Sequence, residues 1–404
     1  MDDKQLLSNK INKIKKNFKI PKNVFALGWV SFFNDIASEM IYPIVPIFLT
    51  SFLGVPVAIV GVIEGIAEST ASILKVFSGW LSDKFQRRKP FVISGYTLST
   101  FSKIILGLSY VWPLVLVARF FDRFGKGIRT SARDSLITES CSERERGKSF
   151  GFHRALDTLG AVFGPLIAVL LLSIFNNNLR LVFYIAFIPG FIGILLLIIF
   201  VREKKKKALC FKDLRLKWRD INPSFKIFLF ISIIFSIGNS SDAFLILRAQ
   251  NLGLAIRVTI FSYVLFNLTY ALFSIPAGII VDKIGAKRVL IMGLLIFSLV
   301  YLFFGLINNS LFIWLLFPVY GIYMALTEGV GKAYISLLVP QEKSGTAFGI
   351  YQTSIGICSF LSSLIAGVMW SYINVRVPFF FGSITAFISV ILFIGLGKKV
   401  KIIK

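Results

Sequence analysis

The feature that most limits this chain is the recurrence, from end to end, of apolar runs of about 20 residues, the length a helix needs to cross the hydrocarbon core of a bilayer. Twelve are read, at about 24–49, 56–81, 90–109, 112–132, 149–174, 180–201, 226–247, 256–281, 289–307, 311–336, 347–372 and 378–397. No water is available inside hydrocarbon to satisfy an open backbone amide, so each run must be a helix. The expected fold class is therefore all-α integral membrane, with twelve transmembrane helices. Composition agrees: 56% of the 404 residues are hydrophobic and 16% charged, which excludes both a disordered chain and an ordinary soluble enzyme.

A net charge of +25 would suggest nucleic acid in a soluble protein. Its distribution removes that reading. The connectors after even-numbered runs carry Lys84, Arg87, Arg88 and Lys89, then Arg129 to Lys148, then Lys204, Lys205, Lys206 and Lys207. Connectors after odd-numbered runs are short and hold only Arg180, Arg248, Arg257 and Arg376. The positive-inside rule then places both termini in the cytoplasm, in the cell (inner) membrane. The start, Met1 to Asn23, has no short apolar core and leads straight into a full-length run, so it reads as a basic tail and not as a cleavable leader. Cys141, Cys210 and Cys358 lack metal-site spacing.

The chain repeats itself at an interval of about 200 residues, near half its length. Gly79-Trp-Leu-Ser-Asp83-Lys84 returns as Gly278-Ile-Ile-Val-Asp282-Lys283, and Gly125-Lys126-Gly127 as Gly331-Lys332-Ala333. Ser149-Phe-Gly151-Phe-His153 returns as Ala347-Phe-Gly349-Ile-Tyr351. Two pseudo-symmetric six-helix bundles, 24–201 and 226–397, are expected, with a Lys-rich connector 202–225 between them and basic tails 1–23 and 398–404.

On these motifs the chain resembles the major facilitator superfamily of secondary transporters, and is closest to its bacterial twelve-helix proton-coupled antiporters and permeases. The family's loop signature, Gly-x-x-x-Asp-Arg/Lys-x-Gly-Arg-Arg/Lys, is matched by Gly278, Asp282, Lys283, Gly285, Lys287 and Arg288. The first copy keeps Gly79, Asp83, Lys84, Arg88 and Lys89, beside Arg87, but has Gln86 where glycine is usual. Gly160-x-x-x-Gly164-Pro165 is similar to the family's antiporter signature, with Ala168 at its last position. In run 4 the family's Arg-x-x-Gln-Gly becomes Arg119-Phe-Phe-Asp122-Arg123. The resemblance implies a solute site between the halves and alternating access. It also implies a cytoplasmic gate at Gly79, Asp83, Arg87 and Arg88 and at Gly278, Asp282, Lys283 and Arg288.

Ionisable groups inside spans are costly and are site candidates by default. The first half holds six acids (Asp35, Glu39, Glu64, Glu68, Asp122, Asp157) and six bases (Lys75, Lys103, Arg119, Arg123, Lys126, Arg154). The second holds only Asp242, Glu328 and Lys332. Asp35 and Glu39, Glu64 and Glu68, and the set Arg119, Asp122, Arg123 and Lys126 each share a helix face. Three readings stand together: structural ion pairs; a proton relay through Asp35, Glu39, Glu64, Glu68, Asp122, His153, Arg154 and Asp157, in which Glu64 and Glu68 titrate as a pair; and an anion-binding face at Arg119, Arg123 and Lys126. The remaining cavity candidates are Asn239, Asp242, Tyr270, Glu328, Tyr351 and Gln352.

No Gly-x-x-x-x-Gly-Lys-Ser/Thr and no His-Glu-x-x-His occurs, and there is one histidine. The expectation is a monomeric, non-enzymatic secondary transporter without cofactor or metal, which partners a small organic solute, protons and lipid and no nucleic acid. Proton-coupled export leads, import of an organic anion is the alternative, and a membrane sensor or enzyme without flux comes last.

Overall fold

A computed structural model describes residues 20–85, 87–142, 145–203, 222–340 and 344–396, apart from the side chains at 80, 83, 84, 147 and 344–346. Most of the expected 1–23 tail, most of the connector and the 398–404 tail thus lie outside the described residues. Twelve long helices follow in order. α1 is Lys22–Ile41, continued by Ile44–Ile47 and a π-helical turn Phe48–Phe52. α2 is Val57–Phe85, α3 Lys89–Gly107, α4 Trp112–Ser140, α5 Arg146–Ile174 and α6 Leu179–Phe200. α7 is Pro223–Gly238, continued by Ala243–Asn251. α8 is Ile256–Ile284, α9 Ala286–Leu306, α10 Ile313–Leu338, α11 Ser344–Tyr372 and α12 Val377–Gly395.

Local chemistry places many of these ends. Proline stands in the first turn of α3, α4, α7 and α12, where its missing N–H costs nothing. Asn178 and Asn222 cap α6 and α7, accepting from the N–H groups of Leu181 at 3.2 Å and Ser224 at 2.9 Å. Between α8 and α9 the chain turns at Gly285, whose φ of +87° only glycine adopts cheaply. Gln86, at the matching place in the first half, lies outside the described residues.

Ten helices are long and apolar enough to cross a membrane, and α3 and α4 fall short. The reason is what they bury. Ser99, Ser102 and Lys103 of α3 and Arg119, Asp122 and Arg123 of α4 are all withdrawn from the surface and face protein. α4 also runs on to Ser140, through residues the sequence alone assigns to a basic connector.

α1–α6 and α7–α12 form the two bundles, which meet along α2–α11 and α5–α8. The helices break in corresponding places: α1 at Tyr42 and Pro43, α7 over residues 239–242. Pro43 lacks an N–H to donate, and Asn239-Ser-Ser-Asp242 offers side chains that compete for backbone hydrogen bonds. The two breaks touch, Tyr42 Oη to Ser241 Oγ at 3.4 Å.

At the end away from the chain termini, one apolar core joins both bundles, running from Ile36–Val55 of α1 and its turn to Phe244, Phe266, Phe297 and Tyr320. Toward the terminal end the core divides. One part lies wholly in the first bundle around Val24, Tyr96 and Leu136, and the other in the second around Phe228, Val289 and Tyr334. Glycine lets the bundles close at the far end, since a Cβ on Gly61 would stand 2.3 Å from the Ser363 carbonyl oxygen. Ala58 N–H to Ser371 Oγ at 2.9 Å and Arg257 Nε to Asn177 Oδ1 at 2.9 Å add cross-bundle bonds there.

Candidate functional site

α2, α3 and α4 carry a buried ion network. Arg119 grips Glu64 through two hydrogen bonds, Nε to Oε1 at 3.0 Å and Nη2 to Oε2 at 2.8 Å, with both side chains 1% exposed. Asp122 takes Lys103 Nζ at 3.2 Å, Arg119 Nη1 at 3.5 Å and the Ser99 hydroxyl. Arg123 pairs with Glu68 at 2.9 Å. Both guanidiniums lie over the Tyr42 ring, 5.6 and 5.5 Å from its centroid, so the charge network abuts the α1 break. Geometry of this kind, two parallel bonds between side chains withdrawn from the surface, makes a buried pair expensive to open.

This changes two expectations. Glu64 and Glu68 are bonded not to each other but each to its own arginine, Arg119 and Arg123. Arg119 is held by Glu64 and Asp122 and Arg123 by Glu68, so the two do not stand as a bare anion-binding face, although Arg123 Nε has no partner among the described residues.

On the seam between α1 and α5, Asp35 and Asp157 lie within electrostatic reach of one another. The glycine motif explains how the helices come so close. A Cβ on Gly160 would stand 2.6 Å from the Phe32 carbonyl oxygen and 3.0 Å from Asp35 Cβ. On Gly164 it would stand 2.8 Å from the Ile36 carbonyl oxygen and 3.0 Å from Glu39 Cβ. The motif is thus a packing seam that positions both acids of α1, and Pro165 follows it inside the same helix. Ser31 Oγ donates to Asp157 at 2.6 Å, and Arg154 Nη1 bonds its other oxygen at 3.2 Å.

Several of these groups reach across the gap between bundles. Tyr263 Oη of α8 donates to Glu39 at 3.0 Å. Arg154 bonds both Tyr270 Oη and Glu328, the latter at 3.4 Å, while Tyr270 donates to Glu328. The Arg154 and Glu328 side chains are 53% and 39% exposed although they sit between bundles, so the gap is open to the terminal end. Asp242 accepts from Tyr320 Oη at 2.7 Å, and Tyr351 stacks on Phe228 at 5.8 Å. Asn239 belongs to the α7 break, and Gln352 is half-buried on α11. His153 is buried, and its Nε2 has no hydrogen-bond partner among the described residues.

The loop motifs are less engaged. Asp282, Lys283 and Arg288 are exposed, and Gly278 has open space around it. Asp83 lies on α2 with its side chain outside the described residues. Gly79 packs near Ser131, where a Cβ would meet Ser131 Cβ at 3.4 Å. Arg88 is held by Glu139 at 2.8 Å and donates its backbone N–H to Glu203, whereas Arg87 lines a surface groove with Lys89.

The sequence reading did not single out Tyr42, Tyr263 or Tyr320. One signal was available: Tyr263 and Tyr270 are seven apart and so lie on one helix face.

Two six-helix bundles, with ten helices long and apolar enough to cross a membrane among the described residues, sealed at one end around a charged gap, define a membrane transporter of small molecules. The chain belongs to the major facilitator superfamily, whose model matches residues 27–247 and again 227–401. It is 40% identical over 377 residues to an uncharacterized MFS-type transporter of Methanocaldococcus jannaschii, covering 92% of this chain and 94% of that one. An uncharacterized protein of Mycobacterium tuberculosis is 25% identical over 360 residues, 86% of each chain. Among solved structures it resembles a POT family transporter in complex with 5-aminolevulinic acid, with TM-score 0.81 and 14% identity over 95% of this chain and 98% of that one. The nucleoside transporter NupG gives TM-score 0.70 at 13% identity over 93% and 99%. At such identities the likeness to solved structures is one of fold.

Proposed function

We propose that the protein is a proton-coupled exporter of a small amphiphilic organic solute, working by alternating access as a monomer in the cell membrane with both termini in the cytoplasm. The observation that carries this reading is the chain of contacts from the Gly160–Gly164 seam across the gap, in which Arg154 bonds Asp157 in its own bundle and Glu328 in the other. Asp35 and Asp157, side by side at that seam, are the pair that takes up the coupling proton in this scheme. Opening the gap at the other end strains that chain of contacts, so the pair's proton and the access state are linked. The split between one shared core and two separate cores then corresponds to a cytoplasm-facing state. The aromatic wall of α8 and α10, with Tyr263, Tyr270 and Tyr320, suits a solute with an apolar body.

Reconstituted into liposomes with a pH-sensitive dye inside, the wild type should move protons when a transported solute from a panel of amphiphiles is added. Asp157→Asn should lose that flux while retaining solute counterflow. Proton flux that is independent of solute, or unaltered in Asp157→Asn, sinks the coupling scheme.

A further inference from the structure

A cavity of about 540 Å³ lies wholly in the second bundle at the sealed end, where the connectors after α7, α9 and α11 meet. Its polar wall is Arg248, Asn251, Asn308, Asn374 and Arg376, and Phe380 supplies an apolar side. Phe380 is seated against the end of α9, since a Cβ on Gly305 would stand 2.5 Å from its Cε1.

Arg248 is 3% exposed, and the end of α9 explains how a guanidinium can be buried there. Its Nε donates to the Phe304 carbonyl at 3.0 Å and its Nη2 to the Ile307 carbonyl at 2.8 Å, at the negative end of that helix's dipole. Nη1 donates to Asn251 Oδ1 at 2.7 Å. One residue beyond Ile307, Asn308 Oδ1 accepts from Arg376 Nη2, and Asn374 Oδ1 accepts from the Arg376 backbone N–H at 3.0 Å. Direct contacts at the α9 end therefore bring both arginines to one cavity.

What these bonds leave over is all of one kind. Each of the three asparagine oxygens already accepts a bond, while none of the three amide nitrogens donates to a group among the described residues. Three of the five N–H groups of Arg248 are used, so two remain. No carboxylate lies within 4.0 Å of either guanidinium among the described residues, and the stretches 248–257, 307–311 and 373–377 contain no Asp or Glu. Capping of α9 accounts for Arg248 alone. It gives no reason for a second arginine and three donor amides around a cavity beside it.

We propose that this cavity is an anion site, open on the side opposite the chain termini, which takes the carboxylate or phosphate group of a small organic molecule. Guanidinium groups suit such oxyanions, and a volume of this order leaves room for an organic body against Phe380. A dissolved organic anion and the headgroup of an anionic phospholipid both carry this chemistry. The segment Ala243–Asn251, which bears Arg248, packs on Ile44–Ile47 in the core shared by the bundles, so an anion held between Arg248 and Arg376 fixes part of the seal. The site stands apart from the gap and from the proton scheme, and its occupancy is measurable without transport.

The test is thermal unfolding of the purified full-length protein in a nonionic detergent, titrated separately with sodium benzoate, phenyl phosphate and phosphatidylglycerol at constant ionic strength set by sodium chloride. Benzoate and phenyl phosphate should each raise Tm saturably. Bound anion should slow hydrogen exchange at 243–254, 305–309 and 373–378 and leave it unaltered around Glu64 and Asp157. Arg376→Gln should weaken the apparent affinity about tenfold or more, and Arg376→Lys should recover part of it. Asn251→Asp sets a carboxylate against Arg248; it should abolish the response to anion while melting, without anion, no lower than wild type, and that loss of binding without loss of fold is what a purely structural contact does not give. Stabilisation by phosphatidylglycerol alone, lost in Arg376→Gln, would identify the anion as a lipid headgroup; stabilisation by the soluble anions alone would identify it as a dissolved one. The proposal is overturned if none of the three stabilises saturably, if Arg376→Gln and Asn251→Asp both bind as wild type does, or if the slowed exchange appears only in the gap between the bundles.

Discussion

The interiors of the two bundles are built from different materials. The first is held by charges: Glu64–Arg119, Asp122–Lys103 and Glu68–Arg123 tie α2, α3 and α4 together where most membrane helices would use methyl groups. The second is held by rings. Phe235, Phe297, Tyr301, Tyr320 and Tyr323 form a continuous aromatic cluster, in which Phe297 and Tyr301 stack at 4.0 Å, and its interior acid Asp242 rests on a tyrosine hydroxyl. Buried ion pairs have one good geometry and a steep cost for leaving it, whereas aromatic faces slide at little cost. The first bundle is therefore a rigid frame bearing Asp35 and Asp157, and the second an adaptable wall.

The comparison breaks first, and with the largest effect, at Arg119. Arg119→Gln leaves Glu64 buried without its partner, while Asp122 keeps Lys103, and should cost about 3–5 kcal/mol, read as lost monodisperse protein or a fall in Tm. Adding Glu64→Gln should recover part of that loss. If the double variant is as unstable as the two single losses added together, the pair does not act as a unit.

Next in size is the α1–α5 seam. Gly160→Leu should cost about 1–3 kcal/mol through overpacking and should also abolish the pH dependence of transport, because it drives Asp35 from Asp157. Stability lost with pH dependence kept would separate the seam from the proton pair. Asp35→Asn should do the reverse, altering pH dependence with Tm shifted by less than in Gly160→Leu.

The smallest effect belongs to the second bundle. Tyr320→Phe removes one hydrogen bond to Asp242 and keeps the ring, so about 1 kcal/mol is expected, with solute preference altered more than stability. A loss as large as that of Arg119→Gln would erase the distinction between frame and wall.

Much of the architecture was legible beforehand because hydrocarbon leaves a chain few options. Runs of sufficient length must be helices, and a repeated Gly-x-x-x-Asp-Lys with its flanking charges marks where helices end. The helix ends near 85, 107, 174 and 306 fall close to expectation for that reason. The end of α4 does not: residues 129–140 are rich in charge, yet they pack on α3 and α2, where a Cβ on Gly95 would meet Arg129 Cβ at 2.7 Å. A count of charges cannot tell solvated residues from packed ones.

Inside the site, spacing identified which acids and bases share helix faces but not which partner each would find. Glu64 and Glu68 are adjacent on α2 and look like a pair, yet α4 supplies an arginine to each. Asp35 and Asp157 are distant in sequence and meet only because Gly160 and Gly164 let α1 and α5 approach. Sequence by itself determined that the chain crosses a membrane, that it is double, and that its first half carries unusual internal charge, since bilayer thickness and the cost of charge in hydrocarbon act on each segment separately. Tertiary structure decided which charges pair and which acids of distant helices come to face one another, because pairing depends on distances between helices that no single segment encodes.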